Sequence, residues 1–224
     1  MAPLLTTARL VLKDKASRDK ALAAFHTIVE FSRVNEPDVT RYIVTVPLDD
    51  VAQNEIYMIE EYASPDASAA HLQTPPVQAL IALFTTGDVL AAPPEVHNST
   101  VAAAKSPAVP PSVSDKLAVI LADVEYKSGT IKQALEGWKN VVDYAKTQDQ
   151  GVHVYVVGEE DTGKQVRTVE IFDSWEFVKG TYLKAGVVQE SRERDKAFRV
   201  GDLRAVTVKI VDGFLGREKG ASKL

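Results

Sequence analysis

The chain has 224 residues, 45% of them apolar and 25% charged, a balance that fits a packed globular protein and excludes a disordered one. It contains no cysteine, which removes disulfide scaffolds, cysteine nucleophiles, iron–sulfur clusters and zinc–cysteine sites. A net charge of -5 argues against a general affinity for nucleic acid, and no apolar run approaches the ~20 residues of a membrane-spanning helix. A soluble intracellular protein is expected.

In chain order the predicted elements occur twice. A short β-like run over 8–12 precedes Ser17, read as the start of a helix with the apolar stripe Ala21, Leu22, Phe25, Ile28 and Val29. Strands are predicted at 39–46 and 56–62, two short helices on either side of Pro75 and Pro76, and a last strand near 96–101. Pro107, Pro110, Pro111, Ser112 and Ser114 then form a stiff polar connector. The second pass begins with the helical stripe Ile131, Ala134, Leu135, Trp138, Val141, Val142 and Ala145. It continues with strands at 152–157, 166–172 and 203–211.

The two passes align. Leu22 and Leu135 stand 113 positions apart, as do Tyr42 and Tyr155, while Glu60 and Glu170, like Tyr62 and Phe172, stand 110 apart. Aligned apolar, aromatic and acidic positions indicate a duplicated unit. A βαββαβ unit leaves one sheet face bare, and a second copy in the same chain can cover it. The expected fold is α+β: two ferredoxin-like repeats, 1–105 and 116–213, joined by a linker at 106–115 and forming an intramolecular dimeric α+β barrel. A flexible tail is expected over 214–224.

The stretch Glu60-Glu61-Tyr62-Ala63-Ser64-Pro65-Asp66-Ala67, with Ala70-His71-Leu72 and Thr74-Pro75, resembles the strand-to-helix signature of antibiotic biosynthesis monooxygenase domains. Glu36-Pro37-Asp38 before Arg41-Tyr42 is similar to that family's helix-to-strand turn. The resemblance covers both repeats and implies the dimeric α+β barrel. It also implies a place among cofactor-free oxygenases of quinols and anthrones, haem-degrading enzymes, cyclases and decarboxylases.

Polar residues present in one repeat only are the preferred site candidates; residues shared by both serve the common fold. His71 is opposed by Thr181, His26 by Lys139, Tyr57 by Arg167, and His153 by Thr40. His71 and Tyr57 are therefore expected to be catalytic, His71 as the base, and the family resemblance adds Glu60 to them. His26, Arg41, Tyr42, Trp138 and His153 are expected to bind substrate. Tyr42/Tyr155 and Glu60/Glu170 also suit a purely architectural role.

The four histidines lack metal-ligand spacing, so no metal is expected, and the resemblance to cofactor-free oxygenases implies no cofactor. Gly158 to Lys164 imitates a phosphate-binding loop, but its acids and its place between two strands make it a hairpin turn. Haem degradation lacks a convincing asparagine–histidine–tryptophan set. The expected activity is a cofactor-independent monooxygenase acting on a small aromatic or polyketide-like metabolite. A decarboxylase, dehydratase or cyclase on the same scaffold, or a non-catalytic carrier of a hydrophobic metabolite, are the alternatives. Ser222-Lys223-Leu224 ends the chain as a peroxisomal address, which makes the peroxisomal import receptor an expected partner and the peroxisome the expected location. No nucleic-acid or membrane partner is expected, and a homodimer of the two-repeat chain is compatible with the reading.

Overall fold

The computed structural model describes residues 2–148 and 151–217. The first sequence repeat comprises β1 (Leu4–Val11), α1 (Lys15–Asn35), β2 (Val39–Pro47), β3 (Glu55–Tyr62), α2 (Pro65–His71), α3 (Pro75–Thr86) and β4 (Glu95–Lys105). The second comprises β5 (Ala118–Glu125), α4 (Ile131–Lys146), β6 (Val152–Glu160), β7 (Gln165–Phe172), α5 (Trp175–Gly180), a 3-10 turn at Tyr182–Lys184, α6 (Gly186–Lys196) and β8 (Arg204–Phe214). The duplicated βαββαβ order expected from the sequence is present, and the fold class is α+β with ferredoxin-like repeats. Hydrogen-bonded order along the sheet is β1-β3-β2-β8-β5-β7-β6-β4, a closed antiparallel barrel.

Two compact units organise the chain: residues 1–98 with 209–217, and residues 99–208. Both β4 and β8 are therefore shared out, one segment to each unit. In the first unit β3 lies between β1 and β2, with Leu4 opposite Tyr62 and Tyr42 opposite Glu60. In the second, β7 lies between β5 and β6, with Ala118 opposite Phe172 and Tyr155 opposite Glu170. Even the irregularities are duplicated: the register slips between Val39 and Arg41 and again between Val152 and Val154, each 113 positions apart.

Helix α1 starts earlier than Ser17. Asp14 is its cap, its carboxylate accepting the Ser17 amide at 2.7 Å, while Ser17 itself is buried inside the first turn. The carboxylate of Asp14, three residues upstream, accepts the exposed amide of Ser17 and so takes the capping position. The apolar stripe behaves as predicted, with Ala21, Phe25, Ile28 and Val29 packed on Tyr42, Met58 and Tyr62 of the sheet. In the second unit Ala134, Val141, Val142 and Ala145 meet Tyr155, Val157 and Phe172. Helices α2 and α5 open alike: Ser64 accepts the Ala67 amide at 3.2 Å, and Ser174 accepts the Phe177 amide at 3.1 Å. The segment Gly158–Lys164 is a hairpin turn between β6 and β7, with Gly163 at φ +63°.

The ends of the last strands carry a paired device. Lys105 donates its ammonium to the carbonyls of Ala145 (2.8 Å) and Gln148 (3.0 Å), closing the carboxyl end of α4. Arg217, 112 positions later, donates to the carbonyls of Ser32 (2.8 Å), Arg33 (3.0 Å), Glu36 (2.6 Å) and Val39 (2.7 Å), closing the carboxyl end of α1. Its guanidinium also lies 5.0 Å over the Phe214 ring. A cation at this end of a helix satisfies orphan carbonyls and complements the dipole. Residues 214–217, expected to begin the flexible tail, are packed: Leu215 is buried and its carbonyl accepts from Arg41 at 2.9 Å. The remainder of the tail, including Ser222, Lys223 and Leu224, lies outside the described residues.

Gly213 fixes β8 against β2. Its φ of +126° suits glycine alone, and an added Cβ would stand 2.2 Å from the Tyr42 carbonyl oxygen. Gly213→Ala is expected to lose about 1–3 kcal/mol from backbone strain before the clash is counted, read as a lowered Tm in thermal unfolding. An unchanged Tm would contradict this packing.

Candidate functional site

Each unit holds one buried polar cluster between helices and sheet, and the two have diverged. In both, a tyrosine on the second strand faces a glutamate on the third: Tyr42 and Glu60, Tyr155 and Glu170.

In the first unit the third member is His71 at the end of α2, only 1% exposed. Its Nδ1 lies 3.0 Å from Glu36 Oε2, and its Nε2 lies 3.6 Å from Glu60 Oε1. Its ring packs between Tyr42 and Tyr62, with centroids 5.7 and 5.6 Å away. Tyr62 donates its hydroxyl to Glu60, and Ser32 donates to Glu36 at 2.6 Å. Burial would lower the histidine pKa, but the hydrogen bonds and charges of Glu36 and Glu60 overcome it and push it up to about 9. Burial also opposes ionisation of Glu36, yet His71 and Ser32 hold its carboxyl below the ordinary range. His71 is thus a cation bridging two carboxylates, without a lone pair to accept a proton at neutral pH. That environment favours a structural ion pair over the role of base expected for it.

Sequence reasoning missed Glu36 as a member of this cluster, having read Glu36-Pro37-Asp38 only as a turn. Its signal was the position: the residue closing α1, four after Ser32.

In the second unit a tyrosine replaces the histidine. Tyr182 packs on Phe172 and Tyr155, with centroids 4.7 and 6.2 Å away, and donates its hydroxyl to Tyr155 at 2.9 Å. The aligned residue expected there was Thr181. Helix α5 ends at Gly180, and the following 3-10 turn carries the next side chain into the cluster, displacing the match by one position.

Among the described residues Glu170 has no cation in direct contact. Its Oε1 accepts from Tyr155 and Thr168, each at 3.0 Å, while Oε2 has no hydrogen bond among the described residues. Burial raises its pKa to about 7 against the lowering effect of both hydroxyls and the more distant charge of Arg192. Burial likewise pushes the Tyr155 and Tyr182 phenols up, so both remain protonated donors.

A cavity of about 140 Å³ opens onto Glu170. Its walls are largely apolar, with Ile120, Trp138, Val141 and Leu183 beside Tyr155 and Tyr182. Ser191, Arg192 and Asp195 of α6 stand at one side with Arg199. Asp195 binds Arg199 at 2.5 Å, and the Trp138 indole donates to the Tyr126 hydroxyl at 2.7 Å, which fixes the ring. In the first unit the facing helices meet through Phe25, Leu80, Leu83 and Phe84 instead, the two phenylalanine rings 6.4 Å apart.

Of the other expected site residues, Trp138 lines the cavity, and Tyr42 and Glu60 belong to the His71 cluster. Tyr57 and Arg41 point to the opposite sheet face from Glu60 and Tyr42, as strand alternation demands. Tyr57 sits by Arg9 and Glu55, where burial and the Glu55 charge push its phenol up to about 12. Arg41 is buried against Leu215 and Glu61. His26 is 64% exposed and meets Asp212 at 2.7 Å, and His153 faces Asp173 at 3.7 Å. None of these four joins either polar cluster. Among the described residues no cluster of three or more histidine or acidic side chains has metal-binding form, and no helix is long and apolar enough to cross a membrane.

Residues 11–83 match the family profile described as antibiotic biosynthesis monooxygenase. The first repeat carries an antibiotic biosynthesis monooxygenase (ABM) domain. No curated protein matches the sequence. Among solved structures, a candidate monooxygenase from Fusobacterium nucleatum aligns with a TM-score of 0.82 at 14% identity, over 96% of this chain and 94% of its own. One from Lactobacillus acidophilus aligns with a TM-score of 0.79 at 12% identity, over 96% and 98%. An anthrone oxidase-like protein aligns with a TM-score of 0.67 at 12% identity, over 100% and 98%. At such identities the likeness is one of fold. The fold of these structures therefore extends through both repeats, while the family profile matches only within the first.

Proposed function

We propose that this ABM-type protein is a cofactor-independent monooxygenase of a small phenolic or quinol-like aromatic, with the second repeat as the reactive half and Glu170 as the base. One observation carries this reading: Glu170, a carboxyl whose pKa burial raises to about 7 and whose Oε2 has no hydrogen bond among the described residues, lines an apolar, aromatic-walled cavity. A base poised at the working pH is the most effective kind. The fold shared with an anthrone oxidase-like protein supports the same class of chemistry.

The substrate is its own reductant. Glu170 Oε2 takes the phenolic proton, and the phenolate passes one electron to O₂. The resulting radical pair joins at the ring carbon para to the oxygen, forming a C–O bond. Glu170 returns its proton to the outer peroxide oxygen as the O–O bond breaks and the ring carbon loses hydrogen. One phenol and one O₂ thus give one quinone and one water. Tyr155 and Tyr182 hold the carboxylate in place, and the apolar walls keep bulk water from the anion. The direct test is oxygen uptake with phenols, quinols and anthrones, compared between the native protein and Glu170→Gln.

We place the protein in the peroxisome, delivered by the import receptor through Ser222-Lys223-Leu224. Deleting Leu224 from a fluorescently tagged chain, with the tag at the amino end, is expected to turn punctate signal into cytosolic signal. Punctate signal without Leu224 would defeat this assignment.

A further inference from the structure

The cavity has a size and a charge pattern that narrow the substrate beyond an aromatic in general. Its volume of about 140 Å³ is close to the ~150 Å³ of an engineered apolar cavity that accepts benzene, a size that suits one ring between its walls. Its two cations are not equivalent. Arg199 is spent on Asp195 at 2.5 Å. Arg192, also lining the cavity from α6, makes no hydrogen bond or ion pair among the described residues and is exposed. The buried part of the lining holds Glu170, whose Oε2 has no hydrogen bond among the described residues, with the hydroxyl pair Tyr155 and Tyr182. An apolar slot with a proton acceptor inside and an unpaired guanidinium outside has a direction built into it.

We propose that the ligand is a single-ring phenolic acid, seated with its hydroxyl inward on Glu170 and its carboxylate outward on Arg192. This rests on the preceding assignment of the cavity as the reactive site, and it adds the ring count, the anionic substituent and the orientation. A neutral phenol fills the same slot but leaves Arg192 without an anion. A free carboxylate without a ring meets the guanidinium but gains nothing from Trp138 and the aliphatic walls. The planar fork of arginine suits a carboxylate through two parallel hydrogen bonds, a geometry that lysine cannot reproduce.

Calorimetric titration of the full chain with 3-hydroxybenzoate, phenol, benzoate and acetate at pH 7.5 tests the assignment. The expected order is 3-hydroxybenzoate tightest, phenol and benzoate weaker, and acetate without measurable binding. Arg192→Gln is expected to weaken 3-hydroxybenzoate about tenfold or more while leaving phenol within about twofold, as the loss of one charge-assisted contact requires. Arg192→Lys should recover only part of the loss. Equal affinity for phenol and 3-hydroxybenzoate, or an Arg192→Gln variant that binds both as before, would overturn the proposal. So would oxygen uptake confined to neutral three-ring anthrones, although the oxygenase reading would then survive. Arg192-dependent binding of the phenolic acid without oxygen uptake from any phenol would instead defeat the oxygenase reading and leave this one standing.

Discussion

Glu170→Gln is expected to reduce oxygen uptake by a factor of about 10²–10⁴, the usual worth of a positioned general base, with little change in the rest of the cavity. In the native protein kcat/KM should rise with pH through about 7, because the reactive form is the carboxylate and burial holds its pKa there. Tyr155→Phe removes one of the two hydroxyls that favour the ionised form, so its profile should shift to higher pH. Stability separates this effect from misfolding. A carboxyl raised from 4.5 in the unfolded chain to about 7 in the fold binds its proton more tightly when folded. Stability attributable to it therefore declines as pH climbs from 4.5 through 7, and charging the group above that range opposes folding. The Gln variant escapes that burden, and its Tm at pH 8 should equal or exceed the native value. An active Glu170→Gln variant with a normal Tm would remove this residue from the chemistry.

The second large effect concerns His71 and is structural. Its pKa rises from 6.5 unfolded to about 9 folded, so the folded state binds the extra proton between those values. The stabilisation is complete below pH 6.5 and is lost as pH rises through 9, about 3 kcal/mol across the window. Urea unfolding of the native protein between pH 7 and 9 should show this decline. His71→Gln should flatten it, because a neutral amide keeps hydrogen bonding but does not titrate. His71→Ala leaves Glu36 and Glu60 facing each other without a cation and is expected to cost about 3–5 kcal/mol. A flat native profile over this range would contradict the bridging geometry.

The fold was largely legible in the sequence because its signals are periodic and occur twice. The stripes Ala21–Phe25–Ile28–Val29 and Ala134–Val141–Val142–Ala145 carry the helix period, and each copy checks the other. The candidate site was legible only in part. Glu60 and Glu170 align, and treating shared residues as architectural drew attention away from Glu170. Identical carboxyls acquire different chemistry from their neighbours: His71 neutralises one, while Thr168 in place of Met58 and Tyr182 in place of His71 leave the other near its titration point. Tyr182 was hidden by a one-residue displacement that only the 3-10 turn reveals. Histidine drew notice by its residue type, yet burial between two acids makes His71 a fixed charge and not a proton acceptor. Arg41, one position before Tyr42, and Tyr57, three before Glu60, lie at odd separations from the cluster residues and so on the other side of the pleat.

The stoppers Lys105 and Arg217 bind the fates of the two copies together. Lys105 ends the final strand of its repeat and Arg217 follows the end of its own, yet each seals a helix encoded by the opposite one. A chain severed in its proline-rich connector would strip α1 of its guanidinium plug and α4 of its ammonium plug in a single cut. Neither copy is therefore self-sufficient, and losing one would cripple the survivor. Such mutual dependence gives both halves a reason to persist, whichever of them carries a reaction.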